Sequence, residues 1–174
     1  MLSISNKLLI SLFFSPFPYL FCRMYSKQQA SQVRQDFYTS FGLYMAPVVS
    51  ADGSPQNWLN YKTGIRAVFI RMDTPNRGAS IGLVLTHADR AERLAMFQKF
   101  EALRTVFSEL VGADWAWEAD TTNAIGQPIS RIYTTLTGVS VLNKADWPAL
   151  ISFFKPALVA LDEFWQLAKD QLEA

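Results

Sequence analysis

The sequence predicts an α+β domain in which an antiparallel sheet of four to five strands packs against helices. Two apolar, alternating segments, residues 66–73 and 79–86, flank a loop rich in turn-forming residues, which is the pattern of a β-hairpin. A second alternating pair, 115–119 and 130–136, flanks the loop 121–128. Helical spacing of apolar residues before, between and after these pairs predicts the order αβββαββα.

The composition suits one domain without a bound metal or disulfide. Half of the 174 residues are hydrophobic, which is enough for a sizeable core.

Residues 1–23 contain Lys7 and Arg23 but no acid, so of 16 basic and 15 acidic residues the rest of the chain carries 14 and 15. This near-neutral body argues against nucleic acid as an electrostatic partner without excluding it. A single cysteine, Cys22, and a single histidine, His87, predict neither a metal site nor a cofactor, and favour a reducing compartment.

Residues 1–23 differ in composition from everything after them. Their apolar run is broken by Pro16 and Pro18 and is shorter than the roughly 20 residues of a spanning helix. The residues before Cys22 are too large for a signal cleavage site. We therefore predict that residues 1–23 are an extension outside the fold, that residues 24–174 form one domain, and that the protein is cytoplasmic with no stable membrane span. Export through a signal in residues 1–23 is the alternative.

The first helix is predicted to begin at a capping box, in which Ser26 is followed three residues later by Gln29. Pro47 ends this helix. Its apolar stripe is Ala30, Val33, Phe37, Phe41 and Tyr44. The short segment 58–61 is predicted as a further strand, which leads into the first hairpin.

Two more helices follow the hairpins. Asp89 caps a central helix that is predicted to continue to Gly112. The closing helix begins at Asp146, and Pro156 is predicted to kink it. The apolar stripe of the closing helix is Leu150, Phe154, Leu158, Leu161, Trp165 and Ala168.

Hairpin symmetry predicts which residues face each other. In the first hairpin Met72 would pair with Ala79, and Phe69 would lie opposite Gly82. A ring opposite a strand glycine can cover the bare backbone. One face of this hairpin is then apolar and the other is mixed.

In the second hairpin, residues whose numbers sum to 249 face each other. Trp117 then meets Ile132 on the core side, and Glu118 meets Arg131 on the other side. Two interpretations follow for this charge pair. It is either a cross-strand ion pair that fixes the register, or a site in which Arg131, beside Tyr133, binds an anionic ligand while Glu118 orients the arginine.

A loose group of basic residues surrounds the first hairpin. It comprises Lys62, Arg66, Arg71 and Arg77. Arg66 and Arg71 point to opposite faces of a strand, so the group makes a poor single patch. We add Arg71 and Lys62 to Arg131, Glu118 and Tyr133 as candidate ligand-binding residues.

No catalytic residue is predicted. The order helix, three strands, helix, strand is also the core order of restriction-endonuclease-like nucleases, whose sites need clustered carboxylates with a lysine two residues after one of them. No Asp or Glu in the chain has Lys at that position. Convergence of Asp73, Glu118 and Asp120 with a lysine would favour an enzyme, and scattered acids would favour a binding module.

Local sequence also resembles a known family. The similar segments are residues 26–30, 60–64, 69–73, 130–133 and 146–150. They resemble the small bacterial family of domains of unknown function numbered 4268, over roughly Met24 to the C-terminus. The resemblance supports the predicted fold and implies relatives that stand alone or follow other domains, some of them nuclease-like. It implies no catalytic residues.

These observations together favour a bacterial, non-enzymatic binding or interaction module. Its expected partner is another protein or a second copy of itself. The alternative is a catalytically degenerate or atypical restriction-endonuclease-like protein that acts on nucleic acid.

Overall fold

A computed structural model of the chain describes residues 25–173. One antiparallel sheet has the strand order β1-β2-β4-β3, formed by β1 Val68–Asp73, β2 Ala79–Leu85, β3 Ala116–Thr122 and β4 Pro128–Leu136. The helices are α1 Lys27–Met45, α2 Arg90–Ala102, α3 Arg104–Leu110 and α4 Trp147–Glu173, and two 3-10 turns span Trp58–Asn60 and Lys144–Asp146. The predicted α+β class is confirmed. Within residues 25–173 no helix is long and apolar enough to cross a membrane.

Helix α1 begins at the predicted capping box. The Ser26 hydroxyl accepts a hydrogen bond from the backbone N–H of Gln29, and the Gln29 side chain accepts one from the N–H of Ser26. The buried residues of the helix are Phe37, Phe41 and Met45. Tyr44 was wrongly assigned to this stripe, because the spacing of four continues to Met45, whereas Tyr44 is exposed beneath the ammonium group of Lys155.

The predicted strand at residues 58–61 is instead a 3-10 turn. The Asn57 side chain accepts a hydrogen bond from the N–H of Asn60, which closes the turn. The Trp58 indole N–H donates to the carbonyl oxygen of Val48. The segment therefore packs on its own preceding loop and adds no strand to the sheet.

The central helix is capped by Asp89 as predicted, but the prediction of one helix to Gly112 is wrong. The helix breaks at Leu103, whose φ of −95° and ψ of 8° lie outside helical values and whose N–H donates to the carbonyl oxygen of Phe100. After the break, α3 places Phe107 edge-on against the rings of Trp115, Trp117 and Phe164.

Helix α4 buries the whole predicted stripe, namely Leu150, Phe154, Leu158, Leu161, Trp165 and Ala168. Pro156 lies inside the helix, and a kink at this residue stays a prediction. One polar residue, Asp162, is buried within the same stripe.

The register of the first hairpin differs from the prediction by two residues. Arg71 pairs with Gly82, where Phe69 was predicted, and the other predicted pairs shift in the same way. The reason lies in the loop, where Gly78 has a φ of 89° and donates its N–H to the carbonyl oxygen of Val139 rather than to the hairpin. A shift of two leaves every side chain on its predicted face, because the side-chain period of a strand is two.

The predicted register of the second hairpin is confirmed over its central pairs. Trp117 pairs with Ile132, and Glu118 pairs with Arg131. An irregularity between Glu118 and Thr121, not predicted from the sequence, shifts the remaining pairs by one residue.

The helices pack on one face of the sheet, against the fully buried Ile81, Leu83, Leu85 and Ile132. The pleat places the alternate residues on the opposite face, which we call the open face. The open face includes Phe69 and Arg71 of β1, Gly82 and Val84 of β2, Arg131 and Tyr133 of β4, and Glu118 of β3.

The predicted boundary after residue 23 lies outside the described residues. We expect a chain that begins at Met24 to melt at the same temperature as the full chain, because the cap of α1 uses only Ser26 and Gln29. Differential scanning calorimetry of both chains tests this expectation. A loss of several degrees would mean that residues 1–23 stabilise the body, since about 1 kcal/mol shifts the melting temperature of such a domain by a few degrees.

Candidate functional site: a groove on the open face

The open face carries a groove with a volume of about 590 Å³, within the range of small-ligand sites. Strands β1, β2 and β4 form its length, and Asn123 and Gln127 of the β3–β4 loop also line it. The residues on which its chemistry depends are Arg71, Gly82, Arg131 and Tyr133. We call this surface the open-face groove.

Gly82 forms the floor of the open-face groove. It pairs with Arg71 on one side and with Tyr133 on the other. Because neighbouring strands lie about 4.8 Å apart, the backbones of Arg71 and Tyr133 are separated by about 10 Å with no side chain between them on this face. A Cβ atom at Gly82 would lie 2.7 Å from the Cβ of Tyr133, so the sheet itself requires glycine here.

Arg131 is held in one orientation by its neighbours. Its Nε donates to Oε2 of Glu118 at 2.7 Å, and the Tyr133 hydroxyl donates to Oε1 of the same carboxylate at 2.9 Å. The guanidinium carbon lies 4.0 Å from the centroid of the Tyr133 ring. Both side chains of the ion pair are one-third exposed, at 34% each. The guanidinium plane is therefore fixed while part of it still faces solvent.

These contacts set the charges of the groove. The hydrogen bond from Arg131 holds the pKa of Glu118 below its usual range, so Glu118 is a carboxylate at neutral pH. Its acceptance of the phenolic hydrogen raises the pKa of Tyr133. Tyr133 consequently stays a neutral hydrogen-bond donor and is unsuited to act as a base.

Arg71 is the second cation of the groove. Its guanidinium carbon lies 4.5 Å from the centroid of the Phe69 ring, and the side chain is exposed. Within residues 25–173, Arg71 makes no ion pair, whereas Arg131 is paired with Glu118.

Four of the five candidate residues from the sequence thus share one face of the sheet. Glu118, Arg131 and Tyr133 are in direct contact, and Arg71 lies across Gly82 from Tyr133. Lys62 lies in the loop before β1 and does not line the groove.

The three acids considered for a nuclease site are apart or already engaged. Asp73 and Glu118 lie on β1 and β3, the two edge strands of the sheet. Asp120 accepts hydrogen bonds from Arg90 and Arg93 at 2.8 Å each, and the bond from Arg93 is the main reason its pKa is lowered. Within the described part of the chain, no three His, Cys, Asp or Glu residues lie close enough to hold a metal ion.

A family model described as "Domain of unknown function (DUF4268)" matches residues 33–169. The chain belongs to this family. Comparison with curated proteins and with solved structures found no match. The matched range runs from α1 to α4, so the DUF4268 domain contains the whole sheet and the open-face groove.

The DUF4268 domain also contains a buried polar cluster that the sequence analysis missed. The Asp162 carboxylate accepts hydrogen bonds from the hydroxyl of Ser50, the N–H of Ala51 and the hydroxyl of Tyr61 at 2.6–2.9 Å. Burial, and then the bond to Asp162, raise the pKa of Tyr61. The available signal was an acid four residues after Leu158, on the apolar stripe of α4. These hydrogen bonds connect the segment between α1 and β1 to helix α4.

Proposed function

We propose that this DUF4268 domain is a non-enzymatic binding module whose open-face groove holds a small anionic ligand with a carboxylate or phosphate group. The observation that carries the proposal is the fixed, partly exposed guanidinium of Arg131, bound by Glu118 and stacked on Tyr133. Planar guanidinium groups bind carboxylates and phosphates through paired hydrogen bonds.

The guanidinium group of Arg131 has a hydrogen-bond donor that its contacts within the described residues leave available to a ligand. Its Nε is used by Glu118 and its Nη2 lies 3.4 Å from the Tyr133 hydroxyl, but Nη1 has no hydrogen-bond partner in residues 25–173. Because the side chain is already ordered, little conformational entropy is lost when an anion binds. The arrangement resembles a preformed site more than a mobile surface arginine.

Arg71 supplies the charge that makes the groove attractive to an anion. The charge of Arg131 is balanced by Glu118, whereas that of Arg71 is not balanced by an ion pair within the described residues. Both arginines line the same groove, Arg71 on β1 and Arg131 on β4, with β2 between them. An anion above Gly82 could therefore interact with both.

The arrangement of the acids supports binding over hydrolysis. Glu118 is engaged by Arg131, and Asp120 is engaged by Arg90 and Arg93. Carboxylates that are neutralised by arginines are poor ligands for Mg²⁺, which needs their charge.

Thermal shift measurements with phosphate, succinate, citrate and adenosine monophosphate test the proposal. We expect at least one of these anions to raise the melting temperature in a saturable manner, because a ligand that binds only the folded state stabilises it. Arg131→Gln and Arg71→Gln should each weaken this binding at least tenfold. Arg66→Gln is the matched control, since Arg66 is exposed and does not line the groove.

Two outcomes contradict the proposal. The first is equal, small destabilisation by Arg131→Ala and Glu118→Ala with no response to any of the four anions, which would leave only an ion pair worth about 0.2–1 kcal/mol. The second is cleavage of plasmid, single-stranded DNA or RNA in Mg²⁺ or Mn²⁺ that disappears with EDTA and with Asp73→Ala or Glu118→Ala.

A further inference from the structure

The outer edge of β1 has a defined backbone orientation. Val68 donates its N–H to the carbonyl oxygen of Ile65, and its own carbonyl accepts from the Thr63 hydroxyl at 2.6 Å, both outside the sheet. The carbonyl group of the preceding residue, Ala67, points the other way, toward the side of β2, and accepts a hydrogen bond from the N–H of Thr86. Backbone groups alternate in direction along a strand, so the N–H and carbonyl groups of the even-numbered residues of β1 point outward, away from β2.

The outward backbone groups in the middle of β1 have no partner within residues 25–173. Ile70 and Met72 follow Val68 in this alternation, and no described residue bonds to their N–H or carbonyl groups outside the sheet. The chain covers the edge on both sides of them, at Val68 and at the carbonyl of Thr74, which accepts from Nε of Arg34 at 3.1 Å. Among the residues that the structure describes, the edge is therefore open only at Ile70 and Met72.

A groove lies along this open stretch. It has a volume of about 480 Å³ and is lined by Ile70 and Met72 of β1, by Tyr38 of α1, and by Leu59 and Asn60 of the first 3-10 turn. Leu59 is 41% exposed, so its wall of the groove offers apolar surface. We call this surface the edge groove.

We infer that the edge groove binds a short extended peptide segment of another protein, which adds a fifth strand antiparallel to β1. Main-chain hydrogen bonds to an exposed strand edge provide affinity in this binding mode, and alternate side chains provide specificity. Two open residues on β1 suit a segment of about five residues, because only every second residue of each strand bonds across the pair.

The charges beside the edge specify the peptide. Arg71 and Asp73 point to the open face, and neither makes an ion pair within the described residues. Arg71 turns its backbone toward β2, so a peptide residue opposite it forms a non-hydrogen-bonded pair, in which the side chains lie closest. An acid is favoured opposite Arg71, a base opposite Asp73 and an apolar residue opposite Phe69. The two intervening residues face the side of Tyr38 and Leu59 and are apolar.

A second copy of this chain fits the same edge poorly. A two-fold pairing that uses both open residues would pair Ile70 of one copy with Met72 of the other. Arg71 would then lie directly opposite Arg71 of the second copy, and like charges in such a position are destabilising. The charge pattern therefore favours a foreign segment.

Fluorescence anisotropy with the full chain and a labelled peptide tests the inference. The probe is the acetylated and amidated peptide Ser-Lys-Val-Glu-Val-Phe-Ser, which places Lys opposite Asp73 and Glu opposite Arg71. Its matched control has the same composition with Lys and Glu exchanged. We expect saturable binding of the probe and at least tenfold weaker binding of the control.

Methylation of the peptide backbone separates strand addition from any other contact. N-methylation of the two valines removes the N–H groups that would face β1, and it should abolish binding. N-methylation of the glutamate alters an N–H that points away from β1, and it should leave binding within about threefold. This dependence on alternate residues is specific to a β-ladder.

Protein variants complete the test. The double variant Arg71→Asp with Asp73→Arg should reverse the preference between the two peptides, and circular dichroism should show that it is folded. Arg131→Gln should bind the probe as the unaltered chain does, which distinguishes this site from the anion site. The inference is overturned by absence of saturable probe binding, by equal binding of the two peptides, by sensitivity to methylation at the glutamate, or by a dimer in sedimentation velocity that Met72→Pro dissociates.

Discussion

Asp162→Ala is expected to lower the free energy of unfolding by about 3–5 kcal/mol, because it leaves three hydrogen-bond donors in the interior without their acceptor, at roughly 1–3 kcal/mol each. Asp162 is 1% exposed, and Ser50, Ala51 and Tyr61 all donate to its carboxylate. For a chain of this length such a loss corresponds to a drop in melting temperature of roughly 10 °C. Urea denaturation followed by circular dichroism measures the free energy directly.

Graded variants show whether the carboxylate itself is responsible. Asp162→Asn keeps the shape but has one accepting oxygen, so we expect an intermediate loss. Tyr61→Phe removes a single donor and should cost about 1–2 kcal/mol. Asp170→Ala is the matched control, because Asp170 is an exposed acid on the same helix. If Asp162→Ala and Asp170→Ala unfold within about 1 kcal/mol of each other, the cluster does not stabilise the fold.

Features that depend on local spacing could be predicted from the sequence. The stripe of α4 follows from helical periodicity alone, and the pairing of Glu118 with Arg131 follows from the symmetry of one hairpin. The register of the first hairpin was harder to predict, because its loop forms hydrogen bonds with Val139 and Arg34, which lie far from it in the sequence. The segment 58–61 was misassigned because its 3-10 turn is closed by a hydrogen bond that the Asn57 side chain accepts from the N–H of Asn60, and strand-like spacing does not reveal this bond.

In the candidate site, too, some positions could be predicted from local spacing and others could not. Arg71 was placed on the open face because strand parity survives a register shift of two, whereas Lys62 lies outside any strand, where parity has no meaning. Asp162 and the buried Arg93 were missed. Each occupies a core-facing position of its helix. Their hydrogen-bond partners cannot be predicted from helical spacing, because partners such as Ser50, which is 112 residues from Asp162, lie far away in the sequence.

Gly82→Ala is expected to destabilise the domain by about 3 kcal/mol, at the upper end of the range for overpacked sites. The added Cβ would clash with the carbonyl oxygen of Ile132 and lie 2.7 Å from the Cβ of Tyr133. Gly82 sits in β2, an inner strand paired on both sides, so the backbone cannot move away without breaking hydrogen bonds to β1 or β4.

The control for this prediction is Gly42→Ala, which makes the same chemical change elsewhere in the fold. A Cβ at Gly42 would meet Cδ1 of Leu59 at 2.8 Å, but that atom ends a flexible, partly exposed side chain that can turn aside. Alanine is also favoured over glycine within a helix by about 0.5–1 kcal/mol, so Gly42→Ala should leave the melting temperature unchanged or raise it. Equal melting temperatures for the two variants would mean that strands β2 and β4 can separate locally at Gly82, and that the floor of the open-face groove is not set by this glycine.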